Sequence, residues 1–172
     1  MIFATVGSTM IDFSRMIDAL AALPSDELVV QHGPATPPPA RRAMAFLDFE
    51  EMIALMDEAS VVVCHAGVGS ILCAMKAGHV PVVVPRLARH GETVDDHQAE
   101  LATALHREGR VVQVLDVAGL ADAVRAVPAR RSATEIGGGP LQVAVREAVL
   151  RGRPAGTFRA AGRVLARGAR LS

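Results

Sequence analysis

Residues 61–85 read VVVCHAGVGSILCAMKAGHVPVVVP, and this stretch predicts a strand, a glycine turn, a helix and a second strand. The two apolar runs, at residues 61–64 and 80–84, are continuous, which is typical of parallel strands buried on both faces of a sheet. Gly78 ends the intervening helix, which is predicted over residues 71–77. Two parallel strands joined through a helix form the basic unit of an α/β fold.

The same alternation continues on both sides of this unit. Further strands are predicted at residues 2–6, 28–31, 43–47 and 111–115, from short apolar runs that turn residues bound. Helices are predicted at residues 11–23, 49–58, 95–107 and 117–126. Asp48 is the expected N-cap of the second of these helices, with Glu51 three residues on. The fold class is therefore α/β, a parallel sheet with crossover helices.

Length and composition indicate one core. The chain has 172 residues, 51% of them hydrophobic, and a mean hydropathy of +0.31, yet no apolar run approaches the roughly 18 residues of a membrane span. The first residues, MIFATVGSTMIDF, are typical of a strand and not of a secretion signal, so we expect a cytoplasmic protein. In that compartment Cys64 and Cys73, which lie in apolar runs, are expected to be reduced core thiols.

Charge divides the chain into two parts. Residues 1–128 carry 9 basic and 16 acidic side chains, whereas residues 129–172 carry 9 basic and 2 acidic ones. Gly137-Gly138-Gly139-Pro140 indicates a linker over residues 128–140, followed by a helix and basic tail over residues 141–172 that is expected to bind an anionic partner or lipid. From Phe158 on, the tail is either an amphipathic helix or a frayed segment rich in glycine. Nucleic acid is not expected as a partner, because aromatic residues make up 3% of the chain.

The turn after residues 61–64 predicts an anion site. Gly67 and Gly69 let a strand deliver backbone amides to a helix N-terminus, where the unpaired N–H groups and the helix dipole attract phosphate. The dinucleotide-binding fingerprint is not met, because Leu72 stands at its third glycine and Val84-Pro85 ends the next strand without an acid. The alternative interpretation is that the glycines only allow close packing of strand and helix.

A polar cluster, ETVDDHQ at residues 92–98, opens the next long helix. Carboxylates and amides of this kind bind ligands rich in hydroxyl groups. Helix capping by Asp95 or Asp96 is the alternative, although it accounts for one acid and not for the group. Both this loop and the glycine turn follow the carboxyl ends of strands, where open α/β sheets bind their ligands.

The sequence resembles glycosyltransferase family 28, specifically its C-terminal, donor-binding domain. The resemblance covers residues 1–127 and rests on HAGVGS at residues 65–70, GHVPVVVPR at 78–86, HGE at 90–92 and DHQAELA at 96–102. It is strongest to the soluble subunits of split glycosyltransferases of N-glycan and bacterial exopolysaccharide synthesis. The fold implied is a Rossmann-like parallel sheet with flanking helices, equivalent to the C-terminal half of a GT-B glycosyltransferase.

The resemblance implies a site for a UDP-sugar, bound as substrate with no cofactor and no metal. The residues implied for the diphosphate are Gly7, Ser8, Gly67, Gly69 and Ser70. The backbone at Leu47 would read the uracil edge, Glu92 would lie near the ribose or the sugar, and His97 with Gln98 would bind sugar hydroxyls. Cys73 stands where many relatives have Glu, so a role that needs this carboxylate is not expected here.

Two further side chains bear on the chemistry. His65 is the candidate for proton transfer within this chain, with a structural or phosphate-binding role as the alternative, and the base is expected in a partner subunit. Arg86, with Arg89 and His90, adds positive charge to the sugar-side loop, which favours an anionic donor such as glucuronate. The alternative is that Arg86 pairs with a neighbouring carboxylate.

Length limits the activity expected of the chain, because 172 residues supply one of the two Rossmann-like domains that the family closes on donor and acceptor. The resemblance implies a partner, a membrane-anchored subunit that binds a lipid-linked sugar acceptor, and recruitment to the inner face of the cell membrane. The expected reaction is inverting transfer of a glucuronate- or GlcNAc-type sugar to a polyprenyl-diphosphate-linked acceptor in exopolysaccharide synthesis. A self-sufficient homodimeric enzyme and a non-catalytic UDP-sugar-binding scaffold are the alternatives.

Overall fold

Six parallel strands form the sheet in the computed structural model, which describes residues 1–127. The strand order is β3-β2-β1-β4-β5-β6, and every neighbouring pair is parallel. The strands are β1 (Ile2–Thr5), β2 (Leu28–Gln31), β3 (Arg42–Met44), β4 (Val61–His65), β5 (Val82–Val84) and β6 (Val112–Gln113). The helices are α1 (Ser14–Leu20), α2 (Phe49–Glu58), α3 (Val68–Lys76), α4 (His97–Arg107) and α5 (Leu120–Ala126). This arrangement confirms the α/β prediction.

Alternate residues of the strands supply two cores, one on each face of the sheet. Ala4, Val30 and Val63 point to the face that α1 and α5 cover, where Phe13, Met16, Ile17, Leu20, Leu120 and Val124 are buried. Their neighbours Phe3, Val29 and Val62 point to the other face, which α2 and α3 cover with Leu55, Met56 and Ala74. Side chains of a strand alternate between faces, so a continuous apolar run is required where both faces are covered.

Three helix starts show how well local sequence signals work. Asp48 caps α2 as predicted, since its Oδ1 accepts a hydrogen bond from the Glu51 amide at 2.8 Å. Helix α1 begins at Ser14 and not at residue 11, because the Asp12 carboxylate accepts hydrogen bonds from the Ser14 amide and hydroxyl and forms a turn there. Helix α3 begins at Val68, three residues before its predicted start, so that the glycine turn is itself the first helical turn.

The cysteines are free thiols, as predicted. Cys64 is buried in β4, and burial, with Cys73 nearby, raises its pKa to about 12, so it stays protonated. Cys73 is half-buried at the edge of the α2–α3 core.

None of the helices within residues 1–127 has the length and hydropathy to cross a membrane. The predicted linker at residues 128–140 and the predicted helix and basic tail at residues 141–172 lie outside the described residues.

Candidate functional site

The crevice of the sheet opens between β1 and β4, where the strand order reverses direction. The chain leaves β1 towards α1 on one face of the sheet and leaves β4 towards α3 on the other. The two loops therefore diverge and leave a gap at the carboxyl edge. A cleft of about 440 Å³ occupies this position.

The cleft brings together most of the residues expected to bind a ligand. Those that line it are Gly7, Ser8, Leu47, His65, Gly67, Gly69 and Ser70. Gln31, Asp48, Phe49 and Met52 line it as well and were not among the predicted site residues. Leu47, Phe49 and Met52 contribute apolar surface to the cleft, Asp48 lies between the first two in the sequence, and the N-terminus of α3 contributes backbone groups.

The N-terminus of α3 is the part of the cleft that is best suited to an anion. The Gly67 carbonyl accepts its first intrahelical hydrogen bond from Ile71, so the amides of Val68, Gly69 and Ser70 have no partner within the helix. No side chain caps this end, and its first turn holds no acidic residue. By contrast, Asp48 caps the N-terminus of α2, and acidic residues follow it. An anion in the cleft is therefore attracted to α3.

The His65 ring fills the space between the two glycine turns. A Cβ on Gly7 would lie 2.5 Å from its Cε1, and a Cβ on Gly67 would lie 2.2 Å from its Nε2. Both distances are shorter than real carbon contacts, so any larger residue would displace the ring. Gly7 also has a φ of +84°, which side chains disfavour. His65 therefore requires a glycine at position 7 in the first turn and at position 67 in the second.

The environment of His65 keeps its imidazole neutral. Burial, with the positive charge of Arg86, lowers its pKa to about 4, although the backbone of Thr5 acts in the opposite direction. The Nδ1 atom is buried and makes no hydrogen bond of ordinary geometry. A group with this pKa is a weak base at neutral pH, which favours the alternative that His65 is structural or hydrogen-bonds phosphate.

The Gly7 amide already has a hydrogen-bond partner within the protein, and its expected contact with a diphosphate stays a prediction. It donates to the Thr5 hydroxyl at 3.1 Å, and this hydroxyl donates to Oε1 of Gln31 at 2.6 Å. Gln31 ends β2 with 3% of its surface exposed. The relay fixes the first turn to the neighbouring strand. The sequence offered one signal for Gln31, which is that it is the polar residue at the end of an otherwise apolar strand.

Arg86 lies inside the fold and does not line the cleft. It is 2% exposed, its Nη1 donates to the Asp12 carbonyl at 2.8 Å, and its guanidinium stacks on the Phe13 ring at 4.4 Å from the centroid. Its Nη2 lies 3.4 Å from the carbonyl of Val6. The side chain thus binds both ends of the loop after β1. Its expected contact with the sugar stays a prediction. Its hydrogen bonds go to carbonyls, and the carboxylates of Glu92 and Asp12 act on it through their charge, which agrees in part with the alternative interpretation.

Glu92 is engaged within the same framework. Its two carboxylate oxygens accept hydrogen bonds from Nε and Nη2 of Arg15, both at 2.8 Å, and Oε2 also accepts from the Leu87 amide. Burial by itself would raise the pKa of Glu92, but these hydrogen bonds lower it below its usual value. Arg15 also donates to the Pro85 carbonyl, so this pair joins α1 to the loop after β5. The expected contact of Glu92 with the ribose or the sugar stays a prediction.

His97 and Gln98 begin α4 at the carboxyl end of β5, outside the cleft lining. His97 is exposed and pairs with Asp95, and Oε1 of Gln98 accepts from the Arg86 amide at 3.4 Å. The Asp95 carboxylate accepts from the His97 amide at 3.3 Å, in agreement with the capping alternative, whereas the Asp96 carboxylate accepts from the Ala88 amide. The expected contacts of His97 and Gln98 with sugar hydroxyls also stay predictions.

No cluster of three His, Cys, Asp or Glu side chains that could hold a metal ion occurs among residues 1–127. The expectation that the reaction needs no metal stays a prediction.

Strand order and cleft together define a doubly wound α/β domain with a crevice at its topological switch point. Residues 1–135 match the glycosyltransferase family 28 C-terminal domain, and the chain belongs to this family. The fold is that of the C-terminal half of GT-B glycosyltransferases, as predicted.

Two related proteins and one solved structure are also similar to this chain. The UDP-N-acetylglucosamine transferase subunit ALG13 of Mus musculus is 32% identical over 122 residues, which are 63% of this chain and 10% of the mouse protein. The subunit of the same name from Cryptococcus neoformans is 39% identical over 66 residues, 38% of this chain and 30% of that protein. The crystal structure of the kitacinnamycin glycotransferase has a TM-score of 0.52 at 20% identity and covers 87% of this chain and 38% of its own. The chain therefore spans a minor part of each.

We predict that Gly67→Ala destabilises the protein through His65. The new Cβ displaces the ring, and such overpacking costs about 1–3 kcal/mol. In a His65→Ala background the space is empty, so the same substitution should cost at least about 1 kcal/mol less. Urea unfolding of the four proteins of this double-mutant cycle measures the difference. Equal costs in both backgrounds would show that the ring does not require the glycine.

We also predict that His65 makes the protein sensitive to acid. Its pKa is about 4 when folded against a usual value of 6.5, so protonation favours the unfolded chain. The contribution of neutral His65 is complete above pH 6.5 and is lost as the pH falls towards 4. His65→Gln should therefore lose less stability over this interval than the wild type, whereas the exposed control His90→Gln should follow the wild type. Urea midpoints across the interval test this, and parallel curves for all three proteins contradict it.

Proposed function

We propose that this chain is the donor-binding, catalytic half of a UDP-sugar glycosyltransferase that works with a second protein. The observation that carries the proposal is the uncapped N-terminus of α3, which lines a cleft together with the apolar side chains of Leu47 and Phe49. A nucleoside diphosphate has this polarity, with an anionic diphosphate beside a flat base. The family of the chain supports the same ligand.

In the proposed complex the amides of Val68, Gly69 and Ser70 bind the diphosphate and the backbone at Leu47 reads the uracil. Gly69 suits this approach, because no atom lies within 4 Å of the position where its Cβ would be. Ser8 and Ser70 also line this cleft. Neutral His65 offers hydrogen bonding and not charge, so the attraction for the diphosphate comes from the helix N-terminus.

UDP-GlcNAc is the donor we favour. The two related proteins carry the name UDP-N-acetylglucosamine transferase subunit, which supports a neutral acetamido sugar. Glucuronate remains the alternative donor, but its support is now reduced to Arg89 and His90, since Arg86 is buried against Asp12 and Phe13.

The proposed reaction is an inverting displacement without a metal. A hydroxyl oxygen of the acceptor forms a bond to the anomeric carbon of the sugar while the bond from that carbon to the β-phosphate oxygen breaks. UDP leaves with the electron pair, and the α3 amides stabilise its charge. The hydroxyl proton passes to a base, which we assign to the partner because the pKa of His65 is about 4.

We further propose that the partner is a membrane-anchored subunit that binds a polyprenyl-diphosphate-linked sugar in exopolysaccharide synthesis, at the inner face of the membrane. The excess of 9 basic over 2 acidic side chains in residues 129–172 supports docking of this segment on the partner or on anionic lipid. A homodimeric enzyme active on its own and a binding scaffold without activity are the alternatives.

We predict that Gly69→Trp abolishes nucleotide binding without loss of stability. The indole enters open space in the cleft, and replacement of a glycine in the first turn of α3 favours the helix. Calorimetric titration with UDP, UDP-GlcNAc, UDP-glucuronate and NADH should show selective binding of uridine nucleotides, weakened at least about tenfold in the variant. The matched control is Gly119→Trp, because Gly119 also borders open space but lies outside the cleft. Equal loss in both variants, or no uridine nucleotide binding by the wild type, contradicts the assignment.

We predict that transfer requires the second protein. The purified chain should bind UDP-GlcNAc but release no UDP in the presence of a lipid-linked acceptor, whereas the complex from co-expression with its partner should do so. His65→Gln should lower the rate in the complex far less than loss of a general base does, which is typically about 10²–10⁴-fold. Turnover by the chain alone favours the homodimeric enzyme, and binding without turnover in either preparation favours the scaffold.

A further inference from the structure

Gln31 is a buried polar side chain that lines the cleft from the side of the sheet. It ends β2 and is 3% exposed. Alternation along the strands points Thr5 and Gln31 to the same face as Phe3 and Val29, which is the face that α2 and α3 cover. The hydrogen bond with Thr5 uses one end of the Gln31 amide, its carbonyl oxygen. The other end, the nitrogen Nε2, is available for a different task.

The hydrogen bonds around Thr5 fix the direction in which the Gln31 amide is turned. The Thr5 hydroxyl oxygen accepts from the Gly7 amide at 3.1 Å, and the hydroxyl proton is donated to Oε1 of Gln31 at 2.6 Å. If the amide were turned the other way, the hydroxyl would accept two hydrogen bonds, and its own proton would have no acceptor among residues 1–127. Oε1 therefore points to Thr5, and Nε2 points away from it.

The Nε2 atom of Gln31 reaches the cleft. The bond from Thr5 is the one hydrogen bond of this side chain within the described residues, so Nε2 has no acceptor there. In the same part of the chain, the fully buried side-chain polar atoms without a partner are Nδ1 of His65 and Nε of Arg86. Since Nε2 of Gln31 lacks a partner but is not among these atoms, it keeps contact with the space that the residue lines. It therefore presents N–H donors to a ligand.

The strand order places Gln31 between the two ends of the proposed nucleotide. Leu47, where the uracil would bind, follows β3, and the α3 amides that would bind the diphosphate follow β4. In the order β3-β2-β1-β4, the end of β2 is one strand from the base side and two strands from the diphosphate side. The ribose joins these two parts of the ligand. Its 2′-hydroxyl is on the carbon next to the one that bears the base, which is the end nearer to Gln31.

We propose that Nε2 of Gln31 donates a hydrogen bond to the ribose 2′-hydroxyl, and that it thereby makes the site selective for ribonucleoside over 2′-deoxyribonucleoside diphosphate donors. The inference rests on the proposed function and adds a specificity-determining residue to it. A site built to hydrogen-bond a hydroxyl rejects the analogue that lacks it, because the buried group of the site is then left unpaired. Gln31 meets this condition, since it is buried and Thr5 holds its amide in one orientation.

Calorimetric titration of the full chain with UDP and 2′-deoxy-UDP tests the assignment. The wild type should bind UDP about fivefold to tenfold more tightly than 2′-deoxy-UDP, the effect expected of one hydrogen bond between uncharged groups. Gln31→Met removes both N–H groups at a similar side-chain length. It should weaken UDP binding by the same factor and change 2′-deoxy-UDP binding less than about twofold. Equal binding of the two ligands by the wild type, or a preference that persists in Gln31→Met, overturns the proposal.

Two further variants separate a lost contact from a change in packing. Gln113→Met is the matched control and should keep the preference, because Gln113 ends β6 and its amide bonds the Thr103 hydroxyl, but it lies outside the cleft lining. Gln31→Glu should also keep a preference for UDP, since it retains an acceptor for Thr5 and presents an oxygen to which a ribose hydroxyl can donate. Loss of the preference in Gln113→Met, or an equal loss in Gln31→Glu and Gln31→Met, overturns the proposal. The ratio of the two affinities is compared within each variant, so a general loss of stability does not alter it.

The same titrations distinguish this inference from the proposed function. If the wild type binds neither UDP nor UDP-GlcNAc, the proposed function itself is wrong. If it binds both ligands without dependence on the 2′-hydroxyl, the cleft holds the nucleotide and the assignment of Gln31 alone is wrong.

Discussion

The His65 ring, held between two glycine turns, is the constraint on which the site depends. The ring lies where a Cβ of either Gly7 or Gly67 would be, so the loops after β1 and β4 approach each other only because both residues lack a side chain. These loops lead to helices on opposite faces of the sheet, and the crevice between them would otherwise be wider. Burial among them makes the imidazole neutral, with a pKa of about 4. The packing that brings the two turns together therefore also keeps His65 uncharged. The electrostatic attraction for an anion would then come from the backbone of α3.

A second group of polar side chains holds the loops in place without entering the cleft. Arg86 joins the two ends of the loop after β1, and the Arg15–Glu92 pair joins α1 to the loop after β5. Buried charges need hydrogen-bond partners, and the partners of Arg86 at Nη1 and Nη2 and of Glu92 at both oxygens fix the geometry of the loops that bear them, although Nε of Arg86 has none. Thr5 and Gln31 perform the same task for the first turn. The carboxyl edge therefore contains polar side chains that hold the loops in place, such as Arg86 and Arg15, which are separate from the residues that line the cleft.

This division explains what the sequence predicted and what it did not. Local signals were sufficient to predict strand β2, the start of α2 at Asp48 and the parallel sheet. These signals are apolar runs, a capping side chain and glycines that end helices. Gly67, Gly69 and Ser70 were placed in the cleft because a glycine turn between a buried strand and a helix has few other geometries. The position of Arg86 did not follow, since an arginine in a polar loop has the same local sequence whether it points to a ligand or back to Phe13. Gln31 was missed for a related reason, because its burial depends on Thr5, which is 26 residues away in the sequence and becomes its neighbour only when β1 pairs with β2.

The open side of the cleft bears on why a donor half alone should bind without reacting. Gly69 is exposed and faces open space, so water reaches the α3 amides as the site stands. In water the attraction between these amides and a leaving diphosphate is strongly screened, whereas in a closed site the same groups act at a lower dielectric constant. Binding needs only the ground-state contact, but departure of UDP needs stabilisation of charge that develops during the reaction. In the proposed enzyme, a partner domain that covers the cleft would exclude this water. It would then contribute to catalysis through exclusion of solvent from α3 as well as through the acceptor and the base that it brings.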